Sequence, residues 1–112
     1  ESLIDKLGID CDIAWRNAGN PFFTPKGHLS NALCKSINEY TGIEPELSTS
    51  GGTSDGRFIA PHGVDVVEFG PLNKTIHKVN EEVLIEDIPK LENIYYRTAE
   101  LLLENKKQND QI

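Results

Sequence analysis

The centre of the chain reads Val64-Asp65-Val66-Val67-Glu68-Phe69-Gly70-Pro71. The first six residues are mostly apolar and rich in β-branched side chains, a composition that predicts a largely buried β-strand over residues 64–69. Gly70-Pro71 ends this strand, because proline cannot donate a hydrogen bond to a neighbouring strand. The sequence on both sides of this strand has to supply the elements that cover it.

Helical patterns flank the predicted strand. Upstream, Thr24-Pro25 resembles a helix start and Gly42 a helix end. Between them, apolar residues recur at spacings of three and four: Leu29, Ala32, Leu33, Ile37 and Tyr40. Downstream, Glu86-Asp87 place acidic residues at a second helix start. Its apolar stripe contains Ile88, Leu91, Ile94 or Tyr95, Thr98, and Leu101 or Leu102.

The N-terminal part contains shorter elements and a boundary. Residues 2–7 could end a helix that Gly8 stops, and Cys11 to Trp15 alternates like a short strand. The turn-forming cluster Asn17-Ala18-Gly19-Asn20-Pro21 follows and predicts a boundary. The order of elements predicts an α/β fold, with a parallel or mixed sheet covered by helices.

Composition excludes several classes of protein. Eighteen acidic and eleven basic residues among 112 give a net charge of −7, which argues against binding to nucleic acid or to an anionic membrane surface. No apolar run approaches the roughly 20 residues of a membrane span, and the N-terminus lacks a secretory pattern. The separated Cys11 and Cys34 suggest two buried thiols in a reducing cytoplasm, and a disulfide or a zinc site built on them is the minority alternative. The lack of methionine suggests that Glu1 is an internal position of a longer chain.

The glycine-rich segment Ser48-Thr49-Ser50-Gly51-Gly52-Thr53-Ser54-Asp55-Gly56-Arg57 could carry chemistry. Its glycines let backbone N–H groups approach an anion, and its hydroxyl groups add further donors. Arg57 could contact a carboxylate through two hydrogen bonds. A phosphate-binding loop is a poor alternative, because Arg57-Phe58 stands where that motif needs Lys and then Ser or Thr. A plain connecting loop remains the other interpretation.

His77 is the candidate metal ligand. It follows the predicted strand and the Gly70-Pro71 break, where ligands collect in open α/β sheets. A neutral imidazole can bind zinc through one nitrogen. A single histidine is also common as a surface or core residue, and that ordinary interpretation holds for His28 and His62. Three histidines this dispersed cannot form a metal site by themselves.

Three stretches of the chain carry a resemblance to a known family: Trp15 to Phe22, Ser48 to Ala60, and Glu68-Phe69-Gly70-Pro71-Leu72-Asn73-Lys74-Thr75-Ile76-His77-Lys78-Val79-Asn80-Glu81. They closely resemble the succinyl-diaminopimelate desuccinylases, a family of the dizinc metallopeptidase and deacylase superfamily. The resemblance implies that residues 1–19 end a lid or dimerisation domain and that residues 20–112 form the C-terminal part of a catalytic α/β domain. It implies a homodimer in the cytoplasm, with two zinc ions per intact subunit.

The resemblance also assigns site residues. It implies that His77 is the terminal zinc ligand, that Gly52, Thr53 and Asn73 contact substrate, and that Arg57 is a carboxylate partner or a support for the loop. Ala18 stands where the family commonly has serine, so a hydroxyl contact from that position is lost.

The implied reaction is hydrolysis of the amide in N-succinyl-L,L-diaminopimelate, giving succinate and L,L-diaminopimelate for lysine and cell-wall synthesis. The family's other zinc ligands and its general-base glutamate have no counterpart in this sequence, so we expect no catalytic residue here and no activity from the chain alone. Two alternatives remain: a deacylase acting on another N-acyl amino acid, and a stand-alone binding or interaction domain that keeps the fold.

Overall fold

A computed structural model describes the chain at residues 2–52, 54–72 and 74–109. Within these ranges the chain forms four α-helices and one 3₁₀ turn. They are α1 (Ser2–Lys6), α2 (His28–Thr41), α3 (Gly56–Ile59), the 3₁₀ turn Ala60–His62, and α4 (Asp87–Asn109). Helices α2 and α4 pack against each other and form the main body.

The core lies between α2 and α4. Leu33 and Ile37 of α2 are buried against Ile94 of α4, and Val67 and Phe69 pack on this cluster from the segment that connects the two helices. The three helical residues, Leu33, Ile37 and Ile94, are among those that the spacing of three and four predicts for the buried face of each helix. The segment 64–69 is therefore held on the face of a two-helix layer.

Polar contacts add to this packing at two places. The Tyr95 hydroxyl donates a 2.5 Å hydrogen bond to the carbonyl oxygen of Phe69, whose ring meets that of Tyr95 edge to face at 6.0 Å. Arg97 of α4 bonds Glu39 of α2 at 2.9 Å and Glu100 at 3.2 Å. The hydrogen bond with Glu39, followed by that with Glu100, raises the pKa of Arg97. Because the guanidinium group of Arg97 is charged at any physiological pH, its ion pair with Glu39 mainly orients α4 against α2 and adds little pH dependence to stability.

The helix predictions are largely confirmed, and one helix start is wrong. Helix α1, the end of α2 at Gly42, and α4 from Asp87 all lie where the sequence places them, and Gly42 adopts a left-handed φ of 69°. Helix α2, however, begins at His28 and not at Thr24-Pro25. Ser30 Oγ accepts a 2.9 Å hydrogen bond from the Gly27 N–H at this start. Thr24 cannot cap the helix because its hydroxyl group bonds elsewhere.

That hydroxyl bonds the backbone of Val66. Thr24 Oγ1 donates to the Val66 carbonyl oxygen at 2.6 Å and accepts from the Val66 N–H at 3.1 Å. One side chain thus satisfies both backbone groups that a neighbouring strand would otherwise bond.

The predicted strands Cys11–Trp15 and Val64–Phe69 are not formed, since no β-strand occurs in the described ranges. A strand exists only when its backbone is paired with that of another strand, and these two segments find no such partner within the described part of the chain. Residues 66–69 nevertheless contact two features of the fold. Val67 and Phe69 pack on the helix cluster, and Val66, Val67 and Glu68 line a groove beside it.

The core is small for the length of the chain. The radius of gyration is 19.6 Å, whereas a compact domain of about 100 residues has roughly 13 Å. Large apolar side chains are exposed at many positions, including Trp15 at 79%, Val79 at 91% and Ile85 at 79%. None of the helices in the described ranges is both long enough and apolar enough to cross a membrane.

Candidate functional site

A groove of about 800 Å³ lies beside the segment 64–69 and is called here the main groove. Three stretches of chain form its walls: residues 20–24, residues 46–52 and residues 66–68, with Lys26 and Ser30 from the start of α2. The first half of the glycine-rich segment, residues 48–52, therefore lies on a concave surface. The walls combine apolar side chains with hydroxyl, ammonium and carboxylate groups.

The hydroxyl groups of the glycine-rich segment bond one another locally. Ser48 Oγ and Ser50 Oγ are 2.7 Å apart, and the Ser50 N–H donates to Ser48 Oγ at 3.0 Å. Gly51 follows with φ 117°, a conformation that side chains rarely adopt, and it leads to the exposed Gly52. Gly52 lines the main groove, so its backbone can approach a ligand there. Thr53, also predicted to contact substrate, lies outside the described residues.

Ser54 connects the end of the glycine-rich segment to the segment 64–69. Its hydroxyl accepts a 3.1 Å hydrogen bond from the Gly56 N–H and donates to the carboxylate of Glu68. Glu68 also lines the main groove, although no motif in the sequence marks it as a site residue. The alternation within residues 64–69 could have identified it, because Glu68 shares a face with Val66 and not with the core residues Val67 and Phe69.

The segment also contains a helix that the sequence analysis missed. Helix α3 (Gly56–Ile59) is too short to produce a periodic apolar pattern. Gly56 is buried at its start, and a Cβ atom there would lie 2.7 Å from Val66 Cγ1 and 3.2 Å from Phe22 Cζ. Only glycine lets α3 approach these two side chains so closely.

We expect Gly56→Ala to destabilise the whole protein by about 1–3 kcal/mol, the usual cost of an added carbon in a packed interior. Thermal unfolding of the two proteins would measure the change. Gly70→Ala is the matched control, because a Cβ at Gly70 meets no atom within 4 Å and should leave the unfolding midpoint nearly unchanged. Equal midpoints for the Gly56→Ala and Gly70→Ala proteins would contradict the close contact.

Arg57 is half-buried beside Gly19. A Cβ at Gly19 would lie 3.1 Å from Arg57 Cδ, 3.5 Å from Nε and 3.6 Å from Nη1. Arg57 Nε is shielded from solvent and has no hydrogen-bond acceptor among the described residues. The guanidinium carbon lies 4.8 Å from the centre of the Phe58 ring, within range of a cation–π contact.

His77 lies in an exposed turn, residues 74–80, called here the histidine turn. The Lys78 N–H donates to the Thr75 carbonyl oxygen at 3.0 Å. Thr75 Oγ1 closes the turn by bonding both the N–H and the carbonyl oxygen of Glu82, at 3.0 and 3.1 Å. His77 itself is exposed, with φ 61°, an uncommon conformation for a residue with a side chain. Asn73, the remaining predicted substrate contact, precedes the turn and lies outside the described residues.

The described residues can supply one metal ligand but do not form a complete metal site. No group of three or more His, Cys, Asp or Glu side chains that could hold a metal ion occurs in the described ranges. A zinc site needs about four ligands, of which the exposed imidazole of His77 can supply one. The remaining ligands of any such site would have to come from outside these ranges.

Comparison with known proteins gives consistent matches. Residues 5–101 match the sequence pattern of Peptidase family M20/M25/M40. A succinyl-diaminopimelate desuccinylase of Nitrosomonas eutropha is 55% identical over 101 residues, which is 90% of this chain and 27% of that protein. The enzyme of the same name from Hahella chejuensis is 53% identical over 103 residues, 92% of this chain and 27% of that protein. The chain thus spans about a quarter of the length of these relatives.

Proposed function

Because the chain belongs to Peptidase family M20/M25/M40, we propose that the whole protein hydrolyses the amide bond of N-succinyl-L,L-diaminopimelate. The products would be succinate and L,L-diaminopimelate, a step in diaminopimelate and lysine biosynthesis. The observation that carries this proposal is identity of 50–55% to several succinyl-diaminopimelate desuccinylases over at least nine tenths of the chain. The main groove supports it, because its wall contains glycine backbone, hydroxyl groups and the ammonium group of Lys26, which can donate hydrogen bonds to an anionic substrate.

The architecture follows the same proposal. Residues 1–19 would end a lid or dimerisation domain, and residues 20–112 would form the C-terminal part of the catalytic α/β domain. The exposure of residues 9–21 agrees with a segment that belongs to a different unit from α2 and α4. Residues 64–69 would become a strand of the complete sheet, with α2 and α4 as its helical cover. The whole protein would be a cytoplasmic homodimer.

Substrate binding would use the main groove and the residues next to it. The substrate carries carboxylates at both ends, so donors on a rigid wall can orient it before reaction. The exposed backbone of Gly52 supplies one such position, and Thr53 and Asn73 would supply others. Arg57 would act as a carboxylate partner or as a support for the loop. Ala18 provides no hydroxyl group where the family commonly has serine.

His77 would hold one of two zinc ions. Its exposed imidazole leaves a ring nitrogen available for a metal, and the hydrogen bonds of Thr75 hold the turn that presents it. Zinc bound at such a site lowers the pKa of water and polarises a carbonyl group. The contribution of this chain would be to hold that ligand and to orient the substrate, while the general base and the other zinc ligands come from elsewhere in the protein.

The proposal is tested by assaying the purified whole protein against N-succinyl-L,L-diaminopimelate and a panel of other N-acyl amino acids, including N-acetyl-L-ornithine. We expect kcat/KM to favour the succinyl substrate by on the order of 1000-fold or more, because a site with fixed polar contacts discriminates strongly against compounds that leave them unpaired. A higher kcat/KM with another compound would indicate a different deacylase. A folded, metal-loaded protein without any turnover would indicate a binding domain.

A further inference from the structure

Residues Asn17–Asn20, called here the boundary turn, are closed by their own side chains. Asn17 Nδ2 donates to Asn20 Oδ1 at 3.1 Å, and the Gly19 N–H donates to Asn17 Oδ1 at 3.0 Å. All four residues are exposed, so these local bonds have to hold the turn without help from burial. The turn is therefore pre-shaped, but its own hydrogen bonds do not fix it to any other element.

Arg57 supplies the contact that the turn lacks. The nearest atoms to a Cβ at Gly19 all belong to this one side chain: Cδ, Nε and Nη1, at 3.1 to 3.6 Å. Gly19 thus forms a socket that any larger residue would fill. The shielding of Nε from solvent agrees with this placement, because that edge of the guanidinium group is covered by protein. Arg57 is also not among the residues that line the main groove.

The backbone of Arg57 is held in place by the packing of α3. The residue lies in α3, whose start is anchored by the close approach of Gly56 to Phe22 and Val66. The Phe58 ring packs 4.8 Å from the guanidinium carbon and limits its orientation. Ser54 joins the same helix to Glu68 on the wall of the main groove. A chain of contacts therefore runs from the socket at Gly19 through Arg57 and α3 to the groove.

We propose that Arg57 is a positioning residue that clamps the boundary turn onto α3 through the socket at Gly19, and so couples the N-terminal segment to the main groove. This deepens the proposed function and rests on it for the identity of the groove as the substrate site. It selects loop support over direct contact with a substrate carboxylate as the role of Arg57.

The clamp makes a prediction about size that a charge contact does not make. Gly19→Val should push Arg57 out of the socket, and Arg57→Ala should empty the socket. Each variant of the whole protein should increase hydrogen–deuterium exchange of the boundary turn by about tenfold, a coupling typical of residues in contact. Gly19→Val should add almost nothing in an Arg57→Ala background, because the valine then occupies vacated space. Gly27→Ala is the control, since a Cβ there meets no atom closer than 3.8 Å.

The kinetic readout separates positioning from substrate contact. Gly19→Val and Arg57→Ala should lower kcat/KM by the same factor, and Arg57→Lys should behave like Arg57→Ala because lysine keeps the charge but lacks the planar group. The proposal is overturned if exchange of the boundary turn is unchanged in both single variants. It is also overturned if Arg57→Ala alone raises KM while Gly19→Val and Arg57→Lys stay close to the parent protein. The exchange measurement uses no substrate, so it decides on the clamp even where the proposed reaction fails.

Discussion

Replacing His77 with alanine in the whole protein is expected to remove one zinc ion per subunit and to reduce turnover by more than about 100-fold. Loss of an outer-shell partner of a metal ligand typically costs roughly 10–100-fold, and loss of the ligand itself should cost more. Zinc content measured by atomic emission spectrometry and turnover of N-succinyl-L,L-diaminopimelate would record the two effects. Both should change together, because the metal and the reaction would depend on the same imidazole.

His62→Ala provides the matched control. His62 is also exposed and ends a short helical turn, yet nothing in its surroundings suggests a ligand role. It should keep full zinc content and activity. Unchanged zinc content in the His77→Ala protein would remove the basis for assigning His77 as a ligand, whatever the effect on turnover.

Ile94→Ala should destabilise the whole protein by about 2–5 kcal/mol, the range for deleting a buried branched aliphatic side chain. Ile94 is 2% exposed and joins α4 to Leu33 and Ile37 of α2, so its loss leaves a cavity in the apolar contact between these two helices. Thermal and urea unfolding would measure the change in stability. Because the core is small, we expect little compensation by its neighbours.

Tyr96→Ala is the corresponding surface change on the same helix. Tyr96 is 67% exposed, and its truncation should alter stability by less than about 0.5 kcal/mol. If the two variants unfold at the same temperature, Ile94 does not hold the helices together in the whole protein.

The sequence predicted the long helices better than anything else in the chain. Helices α2 and α4 each span several turns, so apolar positions recur often enough along each helix to define a buried face. Leu33, Ile37 and Ile94 belong to these faces. Helix α3 has four residues and offers no such repetition. The start of α2 was misplaced because the Thr24 hydroxyl can bond a helix N-terminus or another backbone, and only the tertiary structure shows that it bonds Val66.

In the candidate site, too, some residues could be predicted from the sequence and others are recognisable only in the structure. The family resemblance, and not composition, assigned Gly52 to substrate contact, because the glycines and hydroxyl groups of its segment are equally compatible with a plain connecting loop. Gly52 lies on the wall of the main groove, and its contact with substrate stays a prediction. The contact of Arg57 with Gly19 could not be predicted, because it joins residues 38 positions apart through shape and not through a motif. The left-handed backbone of His77 was equally hidden, since most residues with that φ are glycines.

The bonding of Thr24 to Val66 gives the segment 64–69 two unequal edges. In an extended chain the N–H and carbonyl groups of successive residues point to opposite sides, so those of Val66 face Thr24 while those of Asp65 and Val67 face away. A hydroxyl group thus seals one edge at its midpoint. Any β-strand that joins this segment should add along the opposite edge, which makes growth of the sheet one-directional from this point.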